Sequence, residues 1–126
     1  NVGLQTEISS RSQAAARCRT VSARHGATSS IAATSSGTAV IVNRPFAEGA
    51  MFGRVKGRPV PDWARTAGCA SWAQFFLKWI LAQPAVTSVI PCTRNAKHLA
   101  DNLGAGSGAL PDDAMRRRMA EHFNSL

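Results

Sequence analysis

The sequence predicts an α/β protein built on a mostly parallel sheet. Two short apolar runs, TAVIVN at 38–43 and AVTSVIPC at 85–92, are each followed by helical patterning, over 69–84 and 95–104. Strand, loop, helix, strand, helix is a βαβα order, and a helical crossover joins strands that lie parallel in one sheet. Two or three such strands leave faces and edges uncovered, so they read as a piece of a larger α/β domain.

Taken in order, residues 9–37 are rich in Ser, Ala, Arg and Thr, with Val21 and Ile31 the only large aliphatic side chains. Such a stretch buries too little surface to offset its ordering entropy, so loop or poor structure is expected there. TAVIVN is a compact β-branched run ending at Arg44-Pro45-Phe46, and reads as a buried strand. The Gly- and Pro-rich stretch 44–62 predicts a long irregular loop, of the kind that is usually functional or mobile. In 69–84, CASWAQFFLKWILAQP, the polar residues Ser71, Gln74 and Lys78 recur at helical spacing and predict a narrow solvent stripe; Pro84 stops the helix. Trp72, Phe75, Phe76 and Trp79 are read as core rather than as a ligand cage, because aromatics dominate buried area. NAKHLADNLG predicts a brief helix closing on Gly104 as the C′ glycine, and GAGSGAL a turn. The last helix starts at Pro111, with Asp112 and Asp113 complementing its dipole and Met115, Met119 and His122 or Phe123 facing inward.

Composition excludes several classes. At 126 residues and 44% hydrophobic, the chain can build one ordinary core. Its best membrane candidate, FFLKWILA, is short and broken by Lys78. The first residues show neither a basic n-region nor an apolar h-region, so no secretion signal is expected. They also lack a starting methionine, and the chain is read as the tail of something longer. Cys18, Cys69 and Cys92 are an odd number without paired spacing, which favours a reducing, cytoplasmic setting over a disulfide framework. They and the histidines have no zinc-ligand spacing. Net charge is +8, from 12 arginines and 3 lysines against 7 acidic residues. The surplus is scattered, dense only at Arg116, Arg117 and Arg118, and the aromatics do not interleave with it, so nucleic acid is not the expected partner.

The stretch VIPCTRNAKHLADNL, 89–103, places Thr93, Arg94 and Asn95 where a strand hands over to a helix. A hydroxyl, a guanidinium and free backbone N–H groups at such a point suit a phosphate. His98 and Asn102 then fall one helical turn apart on one face. The same residues also read as ordinary capping by Thr93 or Asn95, with Arg94 solvated.

Together, AVIVNRPFAEG, CASWAQFFLKWILAQPAVTSVIPCT, NAKHLADNLGAG and LPDDAMRRRM resemble the C-terminal part of bacterial aldo/keto reductases. The similarity is dense over about 37–123 and has a weak echo in LQTEIS at 4–9, which looks like the family's sixth strand. Residues 10–36 match nothing expected there, the pattern a compensated frameshift in a GC-rich gene would leave. The resemblance implies a (β/α)8 barrel, of which this chain carries strands six to eight with their helices, its C-terminal part at 37–126 following a degenerate or disordered segment at 1–36. It also implies NADPH as cofactor and aldehydes and ketones as substrates. Carried over by position, Thr93 and Arg94 would hold the adenosine 2′-phosphate and Asn95 would open the helix. His98 stands where Arg or Gln is usual, and Asp101 and Asn102 match a Glu-Asn pair facing the adenine. Gln5 matches a glutamine on the nicotinamide carboxamide, and is equally well an ordinary exposed polar residue. Asn43 falls where relatives stack an aromatic on the nicotinamide, so either the ring is held differently or Phe46 substitutes. Cys92 replaces a phosphate-binding lysine of some relatives, which weakens discrimination for NADPH over NADH.

The family's Asp, Tyr, Lys and His catalytic set lies earlier in the barrel, and this chain contains no tyrosine. The expectation is therefore a reductase-like chain with part of the cofactor site and no catalytic centre, inactive by itself, with self-association through uncovered sheet edges. The alternative is a small basic interaction protein that binds nucleotide or an acidic partner.

Overall fold

A computed structural model describes residues 39–126, together with the backbone of Glu7–Ile8 and Cys18–Ser22. Among the described residues four strands form one sheet in the order β1 (Glu7–Ile8), β2 (Cys18–Ser22), β3 (Ala39–Asn43), β4 (Val86–Ile90). The β1–β2 pair is antiparallel and β2–β3 is parallel; β3–β4 is parallel, as the βαβα order requires. Strand β2 lies inside the stretch expected to be irregular. Its backbone pairs residue for residue from Cys18 with Ala39 to Ser22 with Asn43. Ladder bonds need only main-chain groups, so a weakly apolar segment can serve as a strand once β3 offers it an edge.

In β3, Val40 and Val42 are buried while Ala39, Ile41 and Asn43 are half-buried, the alternation of a strand with one face on the core. The ladder to β4 slips between Val40 and Ile41, and there the Val40 amide donates to Thr87 Oγ1 at 3.2 Å. A side chain thus replaces a carbonyl at the bulge.

Among the described residues the helices are α1 (Ala50–Arg54), α2 (Asp62–Thr66), α3 (Trp72–Leu81), α4 (Ala96–Gly104) and α5 (Asp113–Ser125), with a 3₁₀ turn at Ala47–Gly49. Helix α1 falls in the stretch 44–62 predicted to be irregular, and α2 begins at its last residue. Met51, Val55, Val60 and Ala64 are buried there, so the segment packs under the core despite its glycines and prolines. The core lies on one face of the sheet, where Val40 and Val42 meet Phe75, Phe76, Trp79 and Ile80 of α3 and Met119 and Phe123 of α5. No helix among the described residues is long and apolar enough to cross a membrane.

Helix α3 starts later than its apolar run. Ser71 is its N-cap, accepting from the Gln74 amide at 3.1 Å, which leaves Cys69 and Ala70 outside. The predicted solvent stripe is corrected: Gln74 is 9% and Lys78 only 1% exposed. Helix α4 and the loop after it lie over that face and supply polar partners, which removes the need for water. The Lys78 ammonium donates to the carbonyls of Ser107 at 2.7 Å and Ala109 at 3.1 Å.

Gly104 is the last helical residue of α4 rather than the residue beyond it, and Ala105 closes the helix in a right-handed conformation. At the start of α5, Asp112 is the N-cap and accepts from the Met115 amide at 2.7 Å, so Pro111 precedes the helix. Two arginines of the triplet lie over aromatic rings, while Arg117 is exposed. Arg116 stands over the Trp79 ring and exchanges backbone contacts with it, accepting Trp79 Nε1 on its carbonyl at 3.0 Å. Arg118 stands 4.4 Å from the Trp63 ring centroid.

Candidate functional site

Parallel strands β3 and β4 end on the same side of the sheet, and a cavity of about 730 Å³ opens there. Its walls come from five places: the loop after β3, α1 through Phe52, the start of α3, the end of β4 with the loop after it, and one face of α4. The size is that of a small-molecule site, and the lining is mostly apolar with a few polar groups.

The loop after β3 supplies Arg44, Pro45, Phe46, Glu48 and Gly49. Arg44, Ala47 and Glu48 hold φ of 48°, 49° and 57°, left-handed backbone that side-chain-bearing residues adopt at a cost. The Arg44 guanidinium meets the Glu48 carboxylate at 2.6 Å, an exposed pair that closes the turn. Phe46 packs on Phe52 at 4.9 Å between centroids, and both rings face Phe76 of the core. From α3 come Ser71 and Trp72, the latter anchored by its indole N–H to the Arg58 carbonyl at 2.8 Å.

On the opposite wall, Thr93, His98, Asp101 and Asn102 all reach the cavity, as do Ile90 and Cys92. Thr93 Oγ1 accepts from the Asn95 amide at 3.2 Å, and Asn95 Oδ1 caps α4 by accepting from the Lys97 amide at 2.9 Å. Capping thus occupies Thr93 as an acceptor while leaving its hydroxyl proton free to donate. Asp101 is held hard: its carboxylate accepts from Ser71 Oγ at 2.6 Å and from Gln74 Nε2 at 2.8 Å. The same Gln74 nitrogen also donates to the Asp101 carbonyl at 3.0 Å. This carboxylate joins α3 to α4.

Asn102 differs from its neighbour. It is 8% exposed, yet its carboxamide makes no hydrogen bond among the described residues. Nor is the carboxamide sealed in, since Asn43 Oδ1 is the one described side-chain atom both enclosed and unpartnered. The Asn102 amide therefore opens into the cavity it lines, with two donors and an acceptor unspent.

The remaining expected residues lie elsewhere. Arg94 and Asn95 are exposed and do not line the cavity, and Asn43, which ends β3 beside the wall residue Arg44, does not line it either. Gln5 is outside the described residues. Conversely Arg44 and Trp72 were not read as wall residues. Trp72 opens α3 at the strand-end side of the sheet, and that position, unlike its apolar character, is a signal that could have found it.

Helices on parallel strands, with a cavity at the strands' carboxyl ends, define an α/β protein whose candidate site lies where folds of this class generally hold their ligands. A model of the Aldo/keto reductase family matches residues 31–121, and the chain belongs to that family. No curated protein matches the sequence. Members of the family fold as (β/α)8 barrels; among the described residues here the strands form an open four-stranded sheet.

Proposed function

We propose that this chain forms the adenosine end of an NADP(H) site of aldo/keto reductase type and has no carbonyl-reducing centre of its own. The unpartnered Asn102 carboxamide carries the reading. The carboxamide faces the cavity with its donors and its acceptor open, and a ligand edge with one donor and one acceptor would pair with it. A purine offers that edge, and Trp72 gives the same cavity an aromatic wall. Thr93 can donate its hydroxyl proton to a phosphate oxygen, and His98 lies one turn before Asn102 on the same wall. When bound, the dinucleotide would supply the hydride. The family's tyrosine proton donor has no counterpart in a chain without tyrosine, so this chain's part is to hold the cofactor.

Calorimetric titration of the folded chain with NADPH tests this. Saturable binding is expected, weakened about tenfold in Asn102→Ala, the worth of one hydrogen-bonded amide. Asp101→Asn is expected to act mainly on stability, since that carboxylate is already engaged. A chain with native circular dichroism that shows no saturation, or that binds equally well as Asn102→Ala, overturns the proposal.

A further inference from the structure

Cys92 lies on the same cavity wall, and none of the proposed nucleotide contacts uses its sulfur. It is exposed and free. Around it the cavity presents Ile90, Phe46, Phe52 and Trp72, and an unspent amide at Asn102. An accessible thiol alone marks nothing. A residue that is nine-tenths buried, with its unpartnered carboxamide left open to the same space, is an independent sign that the cavity is shaped for a polar group carried on an apolar body.

We infer that the cavity is a covalent capture site for planar, conjugated α,β-unsaturated carbonyl compounds, with Cys92 as the nucleophile. The Asn102 N–H takes the carbonyl oxygen, and the aromatic wall takes the ring or chain attached to the alkene. Cys92 Sγ adds to the β-carbon. One S–C bond forms, the C=C π pair moves to the α-carbon through the enolate, and the proton lost by the thiol ends on that carbon. Nothing is oxidised or reduced, and no group leaves. A thiol is a soft nucleophile suited to this conjugate addition, and its thiolate form is the reactive one. Cys69 is the internal contrast: it is 2% exposed, and burial pushes its thiol above the ordinary range against the opposing pull of the Lys78 charge.

The test is the rate of adduct formation with benzylideneacetone and with methyl vinyl ketone, followed by intact mass and located by peptide mapping. The two share the reacting group and differ in the aromatic ring. Relative to free glutathione, Cys92 is expected to favour benzylideneacetone over methyl vinyl ketone by about tenfold, with a rate that saturates in the aromatic ketone because binding precedes reaction. Cys92→Ser abolishes the adduct, and Asn102→Ala raises the half-saturating concentration. A linear rate with no preference over glutathione, or adducts that map mainly to another cysteine, overturns the inference. No nucleotide enters the experiment, so its outcome is separate from that of NADPH binding.

Discussion

Replacing Lys78 with alanine is expected to lower the stability of this protein by about 3 kcal/mol or more, a large fraction of what a domain of this size has. The side chain is 1% exposed, and its ammonium serves the carbonyls of Ser107 and Ala109. Alanine leaves both carbonyls without their donor and opens a void along the stem, and each of these is destabilising. A Cβ on Gly68 would stand 3.8 Å from the Lys78 Cε and Nζ, so backbone already closes over the end of the chain. Lys78→Met keeps the stem's volume while removing the charge, and is expected to lose about half as much, the share belonging to the hydrogen bonds. Urea denaturation followed by circular dichroism reads both. Wild-type stability in Lys78→Ala would show that the loop after α4 does not depend on this contact.

Gly104→Ala is the second large effect, and its sign runs against helix propensity. Alanine in place of glycine inside a helix normally gains about 1 kcal/mol. Here the new Cβ would lie 2.6 Å from Gln74 Nε2 and 3.3 Å from its Cδ. That nitrogen holds both the carboxylate and the carbonyl of Asp101, so yielding means giving up two partly buried hydrogen bonds. A net loss of about 1–2 kcal/mol is expected after the propensity gain. In a Gln74→Ala background the clash is gone, and the same substitution should stabilise. The double-mutant cycle measures the coupling, and a cycle that closes to zero would mean that Gly104 and Gln74 do not meet.

These two residues also mark where sequence reading stops. The spacing of Ser71, Gln74 and Lys78 reveals that one stripe of α3 is polar, but not that α4 and its loop fold over it. Gly104 looks like a helix terminator because the residues after it are turn-formers; its contact with Gln74 lies across the fold. Strands β3 and β4 were legible because β-branched residues cluster in them, and the aromatic run of α3 because such runs are buried. Within the site, Thr93, His98, Asp101 and Asn102 share one strand end and one helix, so local spacing suffices to group them. Arg44, Phe46 and Trp72 reach the same cavity from distant parts of the chain. Asp101 enters the expected set through the resemblance, and its engagement by Ser71 and Gln74 lies across the fold where spacing does not reach.

The left-handed backbone at Arg44, Ala47 and Glu48 inverts the usual substitution profile of a protein. At most positions glycine is among the most damaging replacements and valine or isoleucine are often benign. Along this cavity rim the order turns over. Ala47→Gly relieves about 1 kcal/mol of steric cost, less the extra freedom it gives the unfolded chain, while Ala47→Val adds a second branch to a conformation that already resents the first. A saturation library scored for folding would pick out this rim as a short island where the smallest side chain wins.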